Sequence, residues 1–89
     1  MDPEYDPEKD RSNRAKHGLR LADAVAVFDD PAHQVIDTTR IGDEEQRYKA
    51  VGVIEGRCHT VVYTWRGDVR RVISFRPSNR KEVRFHEGS

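Results

Sequence analysis

Ten charged side chains, spread over several segments of the chain, have the types that metal-free cleavage of RNA requires. Such cleavage needs a base for the ribose 2′-hydroxyl proton, cations around the phosphate as its negative charge grows, and an acid for the leaving 5′-oxygen. The candidates are Lys16, His17, Glu45, Arg47, Lys49, Arg66, Arg70, Arg71, Arg76 and Arg80. On residue types alone, the same set also fits a surface that contacts a protein or DNA.

A β-hairpin over residues 60–76 is the predicted scaffold for these side chains. Both arms are dominated by β-branched and aromatic residues, which suit a pleated surface. Gly67-Asp68 between the arms is typical of a two-residue turn, because glycine adopts a positive φ without strain. Alternation outward from this turn predicts the facing pairs Arg66–Val69, Tyr63–Val72 and Val62–Ile73.

The same alternation predicts which residues share a face of the hairpin. It places Phe75 with Thr60 and Val62 on one face, and it places Arg76 with Tyr63 on the other. Each face then carries arginines as well as apolar groups. The hairpin is therefore predicted to be half core and half functional surface.

A polar helix precedes the hairpin in the sequence. Asp6 as N-cap and Pro7 at the first helical position predict its start, and Gly18 predicts its end after about His17. Lys9, Asn13 and Lys16 fall on one helical face. Since this helix has almost no apolar surface, burial alone cannot hold it in place.

A second helix is predicted from apolar residues at helical spacing, which are Leu21, Ala24, Val25 and Phe28. Pro31 ends it after Asp30. Strands are predicted at residues 33–37 and 47–54, with a polar loop over residues 38–45 that includes Asp43. After the hairpin, Asn79 and Glu82 have the capping-box spacing of a final helix.

This order of elements predicts an α+β fold with two N-terminal helices, a four-stranded antiparallel sheet and a C-terminal helix, in one domain over residues 1–89. The single cysteine, Cys58, excludes an internal disulfide. The sequence has no phosphate-binding glycine motif and no histidine spacing typical of a metal site, so neither a cofactor nor a metal is expected. It also lacks a long apolar run and a signal peptide, which favours a cytoplasmic protein without membrane contact.

The 16 basic and 16 acidic residues cancel, but their distribution along the chain is uneven. Residues 1–10 are acidic and residues 66–89 are basic. A protein without net charge attracts nucleic acid only weakly at long range. Clustered arginines can still bind a phosphate locally.

Several short blocks recur in a characteristic order along nearly the whole chain. They are Tyr5-Asp6-Pro7, Lys16-His17-Gly18, Asp30-Pro31, Glu45-x-Arg47, Tyr63-Thr64-x-Arg66, Ile73-Ser74-x-Arg76, and Arg80 with Glu82. In this order and spacing the chain resembles the BrnT family of bacterial type II toxins, small ribonucleases similar to the RelE and ParE group. The resemblance implies a RelE-like fold and a toxin that cleaves RNA without a metal and so inhibits translation. It also implies a BrnA-type antitoxin, whose ribbon-helix-helix domain would be the toxin's link to operator DNA.

Six residues are therefore the candidate catalytic groups: Glu45, Arg66, Arg76, Arg80, Lys16 and His17. Glu45 is the first candidate for the base because it matches the Glu-x-Arg block, and the three arginines are the candidates for holding the phosphate. Four more residues are candidate RNA contacts: Arg47, Lys49, Tyr63 and Arg71. A core position is the alternative for Tyr63, as a structural role is for His17.

Three functions from different classes remain open at the level of sequence. The first is a ribonuclease toxin. The second is a ParE-like inhibitor that acts on a protein target such as gyrase without cutting RNA. The third is an inactive module that keeps only its contact with the antitoxin.

Overall fold

The computed structural model describes residues 3–42 and 44–88, and it confirms the α+β class. Its helices are α1 (Pro7–His17), α2 (Val25–Phe28) preceded directly by a 3₁₀ turn (Leu21–Ala24), and α3 (Arg80–Glu87). Its strands are β1 (Glu4–Tyr5), β2 (Gln34–Asp37), β3 (Tyr48–Ile54), β4 (Arg57–Arg66) and β5 (Val69–Pro77). Asp43 of the predicted loop lies outside the described residues, as do both ends of the predicted 1–89 domain.

Five strands of the described part of the chain form one mixed sheet in the order β1-β5-β4-β3-β2. Strands β2 to β5 are antiparallel to their neighbours, whereas β1 is parallel to β5. The four predicted antiparallel strands are therefore present as β2 to β5, but the prediction of a four-stranded, purely antiparallel sheet is wrong because it lacks the parallel strand β1. Because β1 contains only two residues, it is too short for an alternating pattern to reveal.

The turn of the hairpin between β4 and β5 agrees with its prediction. Gly67 has a φ of 60°, in the left-handed region that favours glycine. The predicted pairs Arg66–Val69 and Tyr63–Val72 are both confirmed.

A β-bulge changes the register farther from the turn. Val62 pairs with Ser74 and not with Ile73, because β5 holds one residue more than β4 at this point. Such a bulge places every later side chain of β5 on the face of the sheet opposite to the one that unbroken pairing predicts. The predicted pair Val62–Ile73 is therefore wrong.

The bulge decides which residues of β5 enter the core. Phe75 pairs with Val61 and is buried, whereas Arg76 pairs with Thr60 on the opposite face. The predicted faces of Phe75 and Arg76 are thus the reverse of the observed ones. We call the face that carries Lys49, Thr60, Val62 and Arg76 the outer face.

The apolar core lies between the other face of the sheet and the segment of the 3₁₀ turn and α2. Its buried members are Leu21, Ala24, Val27, Ala50, Val61, Tyr63, Val72 and Phe75. At Gly52 on β3 this packing is so close that an added Cβ would lie 2.8 Å from the Val27 carbonyl oxygen. A glycine is therefore required where α2 crosses the sheet.

The helical stripe predicted for the second helix is correct in part. Leu21 and Ala24 are buried as predicted, but Val27 takes the place expected for Val25, which is 41% exposed. The 3₁₀ turn explains this change of phase, because it has fewer residues per turn than an α-helix. Phe28 packs against the core while remaining partly exposed.

Helix α1 has the predicted bounds and is attached to the sheet by polar contacts. Asp6 caps its N-terminus and Gly18 ends it with a φ of 69°. The buried Asn13 side chain donates to the Phe75 carbonyl at 2.8 Å and to the Leu19 carbonyl at 2.9 Å, and it accepts from the Phe75 N–H at 3.0 Å. Asn13 thus completes the hydrogen bonding of β5 as a further strand would.

Asp30 connects the end of α2 to β3 and α3. It accepts from the Val53 N–H at 2.8 Å and lies 3.3 Å from His86 Nε2. Bonds from the Val53 and Ala32 backbone, and then from His86, lower the pKa of Asp30.

Among the residues described, no helix is long and apolar enough to cross a membrane.

Candidate functional site

A buried carboxylate, Glu82, lies at the start of α3 with 2% of its surface exposed. It forms the predicted capping box with Asn79, accepting from the Asn79 N–H at 2.8 Å while its own N–H donates to the Asn79 side chain at 2.9 Å. Thr60 on β4 donates its hydroxyl to the same carboxylate at 3.0 Å. The helix cap therefore holds a negative charge against the outer face of the sheet.

Two cations converge on this carboxylate from different strands. Arg76 of β5 bonds it through two nitrogens, Nη1 to Oε1 at 2.7 Å and Nη2 to Oε2 at 2.8 Å. Lys49 of β3 places its Nζ 3.0 Å from Oε2. The cluster of Lys49, Arg76 and Glu82 thus has two positive charges for one negative charge.

These contacts keep Glu82 ionised. Burial by itself would raise the pKa of Glu82, but hydrogen bonds from Arg76, the Asn79 backbone, Lys49 and Thr60 lower it to about 2. The same interaction raises the pKa of Arg76. The cluster therefore keeps a net positive charge at neutral pH, in a fixed geometry.

A cleft of about 370 Å³ opens beside the cluster on the outer face. Its lining residues are Thr38, Arg40, Arg47, Lys49, Val62 and Arg76. Arg76 donates from Nη1 to Glu82 and to the Pro77 carbonyl, and from Nη2 to Glu82. Its Nε–H has no acceptor among the described residues and remains available to a ligand in the cleft. A cleft lined by four cations is suited to a phosphate group.

Glu45 and Arg66, both candidate catalytic residues, form an ion pair of 3.3 Å with about half of each side chain exposed. They line a second cavity of about 380 Å³ together with Gly42, Glu44 and Arg47. Since Arg47 also lines the cleft, the two cavities are neighbours. A carboxylate able to accept a proton thus lies next to the cationic cleft.

On its other side, the cleft borders a crevice between α1 and β5, with a volume of about 330 Å³. Lys9, Lys16 and His17 of α1 line this crevice, and Arg76 is shared with the cleft. The two predicted residues of the first helix are thus placed beside Arg76. The three cavities together follow the outer face from α1 to the loop before β3.

The chain matches a known protein family over most of its length. Residues 5–82 match the family described as ribonuclease toxin, BrnT, of type II toxin–antitoxin system. The chain belongs to the BrnT family. No curated protein matched the chain.

Membership in the BrnT family makes the protein a ribonuclease toxin of a type II toxin–antitoxin system, with RNA as its target and an antitoxin as its partner. The match extends from Tyr5 to Glu82. It therefore includes the residues of the cleft, of the cavity at Glu45 and of the crevice.

The structure does not bring every candidate of this BrnT chain to these cavities. Tyr63 is buried, with 3% exposure, and packs edge-on against Phe28 at 5.2 Å between ring centroids. Arg71 forms an ion pair with Glu4. Arg80, the first residue of α3, is exposed and lines none of the three cavities.

Arg40, which lines the cleft, and Glu82, which binds Lys49 and Arg76, were not predicted as site residues. Arg40 lies in the polar loop, where nothing local distinguishes it from a solvated side chain. Glu82 was expected as a helix cap and as part of one block of the family resemblance, but not as part of the site. Its capping-box spacing from Asn79 was the available signal, because that motif points the carboxylate back toward the chain that enters the helix.

Proposed function

We propose that this protein is an endoribonuclease that cleaves RNA in the cleft of the outer face without a metal ion. The observation that supports this proposal is the convergence of Arg76 and Lys49, from two strands, on the buried carboxylate of Glu82. Cations that are already fixed in place need little reorganisation when negative charge grows on a phosphate. Arg40 and Arg47 add positive charge to the same cleft.

In the proposed mechanism, Arg76 and Lys49 hold the scissile phosphate and stabilise its transition state. Glu45 removes the proton from the ribose 2′-hydroxyl, and its ion pair with Arg66 orients it. The 2′-oxygen then attacks phosphorus, and the bond to the 5′-oxygen breaks. His17 is the proposed acid for the leaving oxygen, because it lines the crevice that ends at Arg76.

We further propose that RNA cleavage inhibits translation in the cytoplasm and that a BrnA-type antitoxin with a ribbon-helix-helix domain neutralises the protein. The proposal includes a RelE-like fold, which the helices around a largely antiparallel sheet support. Contact with operator DNA would occur only through the antitoxin.

The experiment is cleavage of RNA by purified protein free of antitoxin, in the presence of a chelator. We expect cleavage to continue with the chelator, and we expect Glu45→Gln to slow it by about 10²–10⁴-fold, the range for removal of a general base. Arg47→Gln tests the cationic wall of the cleft. Lys81→Gln, an equal loss of charge on the exposed surface of α3, is the matched control.

Two results would count against the proposal. Wild-type cleavage by Glu45→Gln would remove the assigned base. Absence of cleavage by the wild-type protein, together with DNA damage in cells that produce it, would indicate a ParE-like action on a protein target.

A further inference from the structure

The cations on the two sides of helix α1 differ in their ion pairing. On the outward side, Arg11 pairs with Glu8 at 3.3 Å and Arg14 pairs with Asp10 at 3.5 Å. The cations on the side of the crevice, Lys9 and Lys16, are exposed and have no ion-pair partner among the described residues. Unpaired cations on the side of a helix that faces a cavity indicate a site for an anion.

Asn13 determines that these lysines face β5. Its three hydrogen bonds to the backbone of Phe75 and Leu19 fix the rotation of α1 about its own axis. Lys9 and Lys16 lie one turn before and almost one turn after Asn13, so they share its face. The hydrogen bonds of Asn13 therefore orient a helix whose apolar surface is too small to orient it by burial.

The crevice below these lysines is lined by donors of hydrogen bonds. Ser12 of α1 and Ser74 of β5 add hydroxyl groups, and Arg76 closes the end next to the cleft. No acidic residue of the described chain lines the crevice. Its chemistry therefore matches a phosphodiester group.

We propose that the crevice between α1 and β5 is a subsite for the phosphate that adjoins the scissile one along an RNA strand. Arg76, which lines both cavities, would lie between the two phosphates. Contacts to phosphate position a strand without reading its sequence. The subsite thus binds RNA of any sequence, and it rests on the proposed function because it extends the cleft to which we assign cleavage.

The test measures binding and not cleavage. RNA with 2′-O-methyl groups lacks the attacking hydroxyl and stays intact, so a dinucleotide and a tetranucleotide of this type can be titrated at several salt concentrations. The variant is Lys9→Gln with Lys16→Gln. The control is Arg11→Gln, which removes a cation from the opposite side of the same helix.

We expect the double variant to bind the tetranucleotide about fivefold more weakly, a loss in the upper range for exposed ion pairs. Its salt dependence should be shallower by about 0.7 in the log–log slope, the value for one phosphate of a single strand. The loss should be smaller for the dinucleotide, which has no second phosphate to occupy the subsite. Arg11→Gln should match the wild-type protein with both ligands.

Equal tetranucleotide affinity and salt slope in the double variant and the wild-type protein would overturn the subsite. So would an equal loss in Arg11→Gln, because it would show a general effect of charge. Failure of the proposed function has a different signature, since there the wild-type protein would bind neither oligonucleotide or would bind both without cleaving ordinary RNA. Circular dichroism and thermal unfolding confirm that each variant is folded.

Discussion

Replacement of Glu82 by glutamine removes the charge at the centre of the outer face while it keeps the shape of the side chain. Glutamine also serves in a capping box, so the start of α3 retains its cap. Arg76 and Lys49 then face each other without the carboxylate that separates them. The loss of stability therefore reports the ionic interaction and not the loss of the helix cap.

The pKa of Glu82 gives the size of this effect. It is about 2 in the folded protein against an ordinary value of 4.5, and one pKa unit corresponds to about 1.4 kcal/mol. The ionised carboxylate thus stabilises the folded state by about 3 kcal/mol at neutral pH. This agrees with the roughly 3–5 kcal/mol that the loss of one partner from a buried ion pair costs.

The dependence on pH follows from the direction of the pKa change. Because the pKa is lower in the folded state, the stabilisation is complete above about pH 4.5 and is lost as the pH falls toward 2. Glu82→Gln should therefore be about 3 kcal/mol less stable than the wild-type protein at pH 7 and nearly equal to it at pH 2. At neutral pH the melting temperature should fall by roughly 12–24 °C, at about 4–8 °C for each kcal/mol in a domain of this size.

The assay is urea unfolding of both proteins at several pH values between 2 and 7. Glu87→Gln, at an exposed position of the same helix, is the matched control and should change stability by less than about 0.5 kcal/mol. A difference between wild type and Glu82→Gln that stays constant with pH would refute the assignment of Glu82 as the ionised anchor. So would a difference at pH 7 no larger than that of the control.

Two further substitutions test the attachment of the helices. Asn13→Ala removes three hydrogen bonds, two to Phe75 and one to Leu19, and should lower the free energy of unfolding by about 2–3 kcal/mol, at about 1 kcal/mol for each bond. An effect no larger than that of Arg11→Ala in the same urea assay would contradict this. Gly52→Ala places a methyl group 2.8 Å from the Val27 carbonyl oxygen and should cost about 1–3 kcal/mol. Wild-type stability of Gly52→Ala would show that α2 does not approach β3 so closely.

The ends of helices and turns were predictable because their chemistry is local. Asp6 caps α1, Gly18 ends it, and Gly67 forms the hairpin turn, each at the predicted position. Every one of these features depends on hydrogen bonds or dihedral angles within a few residues. Neighbouring residues alone therefore contain the required information.

The phase of the second helix was less predictable. Val25 and Val27 are chemically alike and differ by two positions, so either can belong to an apolar stripe. The 3₁₀ turn before α2 selects Val27. Its formation depends on packing against the sheet, which no local pattern records.

The candidate site shows the same division. Types and spacing of residues were enough to indicate phosphate chemistry, the BrnT family, and Glu45 beside Arg47. They did not indicate that Arg76 would lie beside Glu82, because the predicted face of Arg76 was the wrong one. The contact with Glu82 depends on a register that forms only when the strands pair.

What the sequence by itself determined is therefore α1, α3 and the strands β2 to β5, the caps and turns that bound them, and the kind of chemistry that the charged residues support. Tertiary structure decided on which face of the sheet Phe75 and Arg76 of β5 lie, through one extra residue at the bulge near Ile73. Burial of a phenylalanine side chain is favourable by about 1.5–3 kcal/mol, whereas an arginine in the same core position would lie without a partner. The sheet therefore adopts the register that buries Phe75 and presents Arg76 to the carboxylate of Glu82.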